Sequence, residues 1–343
     1  MLFFCYNQSG AACRHHVPKI FEEETKVKKY IAIILVICMA LALCACGNKP
    51  EAPAEAKIKI GMVTDVGGVN DKSFNQTSWE GLQALQAEDP SFEVKYLESK
   101  TDADYQTNIN TFIDEGTDLI ICVGYMLADA TRDAATANPD QKFAIIDDSS
   151  IDLPNVACLM FAQEQASYLV GLVAGSVTES KTVGYVQGMV SDSMNLFGIG
   201  FISGVLAVCP DAQVLQYNAN NFGDIAGGSA AAKDMITNGA DVIYHAAGGT
   251  GIGVINTCND EGVWAIGVDT ASQDISKAVK DGTFQGGVHM YDLSNGGVDL
   301  APTRTHIPED VLKKVEEAKA AIIAGTVTVP TTVAECPAFT LAG

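Results

Sequence analysis

The sequence predicts an α/β protein built as two doubly wound, parallel-sheet lobes joined by a hinge. Apolar, β-rich runs alternate with helix-like stretches; the alternation pauses at one apolar helix and then begins again. The length of 343 residues suits roughly two domains of 100 to 200 residues each. With 48% hydrophobic residues, 18% charged residues and 32 glycines, the chain belongs with folded α/β proteins rather than with disordered or fibrous ones.

The first half offers strands at 58–65 (IKIGMVTD), 92–99 (FEVKYLES), 119–125 (LIICVGY) and 142–148 (KFAIIDD). Helical spacing fills 75–87 and 126–137, the latter closed by Asn138-Pro139 because the residue before a proline is pushed out of the α region. Such alternation implies βαβ units and a parallel sheet. After an apolar helix around 168–177 the pattern restarts with strands at 182–189 (TVGYVQGM), 213–219 (QVLQYNA), 241–248 (DVIYHAAG) and 263–269 (VWAIGVD). A helix follows at 274–282 (DISKAVKDG), and Pro330 and Pro337 make the tail from 326 to 343 irregular.

In open parallel sheets, ligands sit beyond the carboxyl ends of the strands. That rule gathers the loops Thr64-Asp65, Gly124-Tyr125, Gly188-Met189, Ala247-Gly248-Gly249 and Val268-Asp269. Two such crevices facing one another form a clamp that closes about a hinge.

The front of the chain reads as an address. Residues 26–46 (KVKKYIAIILVICMALALCAC) place Lys26, Lys28 and Lys29 before an apolar run from Tyr30 to Cys44, the order of a secretory signal. The run falls short of the roughly 18 apolar residues of a membrane-spanning helix. Leu43-Cys44-Ala45-Cys46-Gly47 resembles the bacterial lipobox, so Cys46 is the expected lipidation site. Residues 1–25, with Arg14, His15, His16 and Glu22 to Glu24, do not suit the start of a signal and read as a spurious extension ahead of a true start at Val27. The expected layout is therefore extension 1–25, signal peptide 26–46, polar tether 47–57, first lobe 58–178 with part of 274–343, and second lobe 179–273.

A net charge of −21 repels nucleic acid. Cys122, Cys158, Cys209, Cys258 and Cys336 are odd in number and lack metal-ligand spacing, which makes them buried thiols rather than a disulfide framework. There is no GxSxG or HExxH, and His245 sits in an apolar strand pattern as a core residue would. The stretch DVIYHAAGGTGIGV, with Asp269 about 20 residues on, imitates a dinucleotide fingerprint, although Gly248, Gly249, Gly251 and Gly253 do not follow GxGxxG. The expectation is a binding protein without a cofactor and not an enzyme; an oxidoreductase is the weakest alternative.

Residues 61–80 (GMVTDVGGVNDKSFNQTSWE) resemble the signature of the basic membrane protein family of PnrA-like, nucleoside-binding lipoproteins. Segments 147–161, 241–254, 265–269 and 286–300 reinforce the resemblance along nearly the whole mature chain. It implies a type I periplasmic-binding-protein fold and a monomer anchored by lipid on the outer face of a bacterial membrane. Its ligand would be a nucleoside, purine by preference, and its partners an ABC permease and ATPase.

The resemblance also implies contacts, and the residue types suit them. Phe74 and Phe197, both expected in loops, would sandwich the base, each stack being worth about 1 to 3 kcal/mol. Asp65, Asn75 and Asp129 would address the base edge, Asn75 by donating and accepting together. Asp269, with the backbone of Gly248 and Gly249, would take the ribose hydroxyls, and Tyr125 belongs to the same set of loops.

One departure is large. In the family the GVD strand leads to a further strand carrying a lysine, whereas here Asp269 to Gln273 runs directly into 274–282, an apparent deletion after about residue 273. Lys277 and Lys280 belong to the helix and do not replace that lysine. The expected consequence is an exposed strand edge and weakened binding, with a sensor or a decayed paralogue for another small solute as the alternative reading.

Overall fold

A computed structural model describes residues 56–268, 274–301 and 304–341. The expected extension, signal peptide and Cys46, most of the tether, and Asp269 lie outside the described residues.

Six strands form the first sheet: β1 (Ile58–Val63), β2 (Phe92–Leu97), β3 (Leu119–Cys122), β4 (Lys142–Ile146), β5 (Val156–Phe161) and β10 (Gly287–Tyr291), in the order β10-β5-β4-β3-β1-β2 and parallel throughout. Four form the second: β6 (Thr182–Gln187), β7 (Gln213–Asn218), β8 (Val242–Ala246) and β9 (Trp264–Ile266), parallel and ordered β7-β6-β8-β9. The central strands are apolar along their length because helices cover both faces. Residues of α1 (Phe74–Glu88) such as Leu82 and Leu85 seal one face of the first sheet. Ile109 and Phe112 of α2 (Ala103–Asp114) and Ala134 of α3 (Ala128–Ala137) seal the other.

The second sheet carries α4 (Gln163–Val177), α5 (Asp192–Val208), α6 (Ile225–Thr237) and α7 (Gly248–Glu261). Glycine sets how closely these helices approach. A Cβ on Gly171 of α4 would lie 2.1 Å from the Phe201 carbonyl oxygen, and one on Gly204 of α5 would lie 2.1 Å from that of Tyr168. Gly228 of α6 and Gly253 of α7 meet the Thr250 and Ile225 carbonyls at 2.0 Å in the same sense. At these four positions backbone packs on backbone and no side chain fits.

One reading of the sequence is corrected here, and two are made specific. The apolar helix begins at Gln163 and packs against α5 and α9 (Glu309–Ile323), so the chain passes to the second lobe near residue 162 rather than at 178. Of the segment after 273, α8 (Asp274–Lys280) and β10 return to the first lobe, while α9 and the tail join the second. The tail is irregular but anchored: Cys336 and Phe339 are buried beside Tyr185 and Phe201, and the Gln216 side chain donates to the Ala338 carbonyl (2.7 Å) and accepts from Thr340 N–H (2.9 Å). Sequence periodicity also passed over β5 and β10, short runs bordered by proline and glycine.

The later cysteines are free; four are buried and Cys209 is half-buried. Among the described residues no helix is long and apolar enough to cross a membrane, and no strand lies beyond β9, whose Trp264 is 52% exposed.

Candidate functional site

Strand order fixes where the site falls. The first sheet reverses direction of winding between β1 and β3, the second between β6 and β8. Loops leaving such paired strands diverge and open a crevice. The two crevices face each other across a cleft of about 620 Å³ of open space, lined from the first lobe by Asp65, Tyr125 and Asp147 and from the second by Phe197, Phe222 and Gly248, among others.

The floor of the first-lobe wall is a hydrogen-bonded knot. The Asp65 Oδ1 accepts from Gly67 N–H (2.8 Å) and from the Asn75 amide (2.7 Å), while Asn75 Oδ1 accepts from Asp65 N–H (3.2 Å). Asp71 accepts from Ser73, Asn75 and Gln76 N–H at 2.9, 2.9 and 3.1 Å and from the Asn75 amide at 3.0 Å. These bonds satisfy the first N–H groups of α1, whose Ser73 side chain provides no cap. Asn75 therefore reaches the cleft with its amide already committed to Asp65 and Asp71. It holds those carboxylates in place, and it lines the cleft where the sequence reading expected it to address a base edge.

Two carboxyls on this wall are held away from their usual behaviour. Burial outweighs the Asn75 and Gly67 hydrogen bonds at Asp65 and pushes its carboxyl up to about 6. Asp147, just past β4, takes the left-handed conformation (φ 60°), is 9% exposed, and leaves Oδ1 with no hydrogen-bond partner among the described residues. Burial alone pushes it up to about 7. Sequence reading passed over Asp147 and Asp71; the signal for both was an acidic residue in a loop at the carboxyl end of a strand.

Phe74 and Phe197 line the cleft from opposite lobes, but each sits in a helix, Phe74 opening α1 and Phe197 in the second turn of α5. The Ser191 hydroxyl starts that second helix by accepting from Met194 N–H at 3.1 Å, which converts the expected loop into helix. Tyr125 packs against the second-lobe core and engages Ser191 across the cleft. Phe222, not foreseen, lies over Gly188, where a Cβ would meet its ring at 2.3 Å.

Gly248 (φ 52°) opens α7 on the cleft with no side-chain cap, Gly249 follows it against the Phe222 carbonyl, and that carbonyl accepts from Thr250 N–H at 3.0 Å. The glycines that imitate a dinucleotide fingerprint have other work: Gly251 clears the His245 ring (2.2 Å to a built Cβ) and Gly253 clears Ile225. Asp129 is a correction. Its side chain is 94% exposed on α3, paired with Arg132 at 2.5 Å, away from the cleft. Among the described residues no group of His, Cys, Asp and Glu is placed to hold a metal ion.

The family model described as Bmp, ABC transporter substrate-binding protein PnrA-like, matches residues 58–273. The chain belongs to this family. It is similar to the CD4+ T-cell-stimulating antigen of Listeria monocytogenes, 38% identical over 312 residues covering 79% of this chain and 87% of that one. It is also similar to the ABC transporter nucleoside-binding protein BmpA of Lactococcus lactis, 36% identical over 315 residues covering 80% and 89%. The 312 aligned positions exceed what 79% of 343 residues supplies, so the Listeria relative carries residues that this chain skips. Solved solute-binding proteins of ABC transporter systems share the fold. That from Aeropyrum pernix K1 has a TM-score of 0.71 at 24% identity, covering 80% of this chain and 94% of its own. That from Conexibacter woesei has 0.66 at 22%, covering 80% and 99%. Within the Bmp family this chain is thus an α/β solute-binding protein of the type I periplasmic-binding fold.

Proposed function

We propose that this Bmp-family protein is a lipid-anchored, extracytoplasmic receptor that holds a nucleoside, purine by preference, between its lobes and passes it to an ABC permease and ATPase. The observation that carries the reading is the pairing, in one cleft, of aromatic rings from both lobes with buried carboxyls from one. Rings on opposite walls suit the two faces of a base, and carboxyl oxygens suit its N–H groups and the ribose hydroxyls. The name of the Lactococcus relative points the same way. The cleft-lining groups are aromatic, apolar and carboxyl in character, which supports reading the protein as a binder. Phe74, Phe197, Tyr125, Asp65 and the Gly248-Gly249 turn are the proposed contacts, with Asp269 for the ribose; Cys46 is the proposed lipidated residue, and the processed protein is proposed to act as a monomer.

The test is calorimetric titration of residues 48–343 with adenosine, guanosine, inosine, uridine and a free pentose. One-to-one binding of a purine nucleoside with no response to the pentose is the expected result. A folded protein that ignores every nucleoside overturns the reading in favour of another solute. The anchor is tested separately, by mass spectrometry of the N-terminal peptide from membranes of expressing cells, where diacylglyceryl-modified Cys46 is expected.

A further inference from the structure

The polarity of the cleft is one-sided in a way that a neutral nucleoside does not require. Asp65, Asp71 and Asp147 line it, and among the described residues no lysine, arginine or histidine does. The second-lobe wall, with Ser193, Met194, Phe197 and Phe222, contributes nothing charged. The sequence of 269–273, DTASQ, contains no basic residue either. The nearby Arg132 is engaged with Asp129 and Ser150 on the outer surface. Asp71 spends its oxygens on backbone N–H groups of α1, and Asp65 spends one on Gly67 and Asn75. Asp147 is different: it lines the cleft, and its Oδ1 is buried with no hydrogen-bond partner among the described residues. A desolvated carboxylate oxygen without a donor is costly, and a cation is the group that compensates it most strongly. The aromatic walls favour the same charge, since the face of a ring attracts a cation. The whole molecule, at −21, draws cations towards it.

We propose that the cleft takes cationic, base-methylated purine nucleosides in preference to neutral ones of the same shape, with Asp147 setting the preference. This rests on the nucleoside reading and narrows it. Methylation at N1 of adenosine or N7 of guanosine gives the ring a positive charge spread over the plane that Phe74 and Phe197 would cover, close to the carboxyls of the first lobe. The titratable groups facing these carboxyls are few: Asp71 and the phenols of Tyr105 and Tyr125 around Asp65, and none acting on Asp147 beyond its burial. Asp147 is ionised above about pH 7 when the cleft is empty, and a bound cation would draw it down, releasing a proton.

The decisive comparison is 1-methyladenosine against 1-methylinosine, which carry the same methyl group and differ in charge and at position 6, the latter difference being corrected by the ratio for adenosine against inosine. At about pH 7.5 the cation is expected to bind at least about tenfold more tightly, and the ratio to fall towards unity at about pH 5.5 as the carboxyls protonate. Asp147→Asn removes the charge while keeping a residue type that tolerates the left-handed conformation, and its ratio is expected to lie near unity at both pH values, losing the pH dependence of the parent. A second pair, 7-methylguanosine against guanosine at about pH 6.5, moves the methyl group to another edge of the base. Equal or tighter binding of the neutral member in both pairs overturns the proposal while leaving the nucleoside reading standing. Silence towards all nucleosides, parents included, overturns both.

Discussion

At the scale of single residues, two buried titratable groups pull stability in opposite directions with pH. Asp147 is raised to about 7 from 3.8, so the folded state holds a proton that the unfolded chain releases, and stability is lost as pH rises through that window. Asp147→Asn is therefore expected to raise the unfolding free energy above pH 7 by an amount on the order of 2 kcal/mol, seen as a higher melting point, and to make little difference near pH 4. His245 is lowered to about 4 from 6.5 by burial, with neither ring nitrogen hydrogen-bonded among the described residues. Its contribution is intact above about pH 6.5 and is lost as pH falls towards 4, because the unfolded chain takes up the proton first. His245→Leu should flatten that acid limb in thermal melts; an unchanged limb would assign the acid sensitivity elsewhere. For binding, Phe197→Ala is expected to cost about 1 to 3 kcal/mol of nucleoside affinity and Asp129→Asn nothing measurable, since one ring lines the cleft and the other group faces solvent.

At the scale of elements, the glycine contacts between α4 and α5 make the sharpest stability prediction. A methyl group at Gly171 or Gly204 has backbone on the other side, which cannot rotate away as a side chain can. Gly204→Ala should destabilise by about 1 to 3 kcal/mol in urea denaturation, and a loss under about 0.5 kcal/mol would mean the helices separate easily. These contacts also explain what the sequence disclosed and what it hid. Eight of the ten described strands announced themselves between helical stretches; the central ones did so as continuous apolar runs because helices cover both faces, and the edge strands β2 and β7 as runs with polar interruptions. The lobe boundary was hidden since α4 is apolar on both the α5 and α9 sides, and an all-apolar helix does not say which sheet it serves. Of the site, Phe74, Tyr125 and Gly248 were legible from their places at strand ends or helix starts. Asp147 was hidden because its setting depends on a left-handed backbone and on an oxygen without a hydrogen-bond partner among the described residues, neither of which composition encodes, whereas Asp129, at a helix start, falls on the outward face.

At the scale of the whole molecule, the lobes already touch through polar contacts that need no ligand. Ser73 Oγ donates to the Val268 carbonyl at 3.2 Å from the first lobe to the second, and Tyr125 engages Ser191 while its ring packs into the second-lobe core. Each hydrogen bond is worth about 1 kcal/mol net, so the pair biases the hinge towards closure by a modest amount, leaving the ligand to supply the rest. Removing both, as Ser73→Ala with Tyr125→Phe, keeps the Tyr125 ring and shifts the empty protein towards open forms. The apparent dissociation constant then rises by the factor by which the closed population falls, about fivefold to thirtyfold, with the bound state itself little altered in shape. Small-angle scattering separates the two effects: the ligand-free double variant should show a larger radius of gyration than the ligand-free parent, and both should converge at saturating nucleoside. Equal radii without ligand, together with weakened binding, would place Tyr125 and Ser73 on the ligand rather than on the hinge.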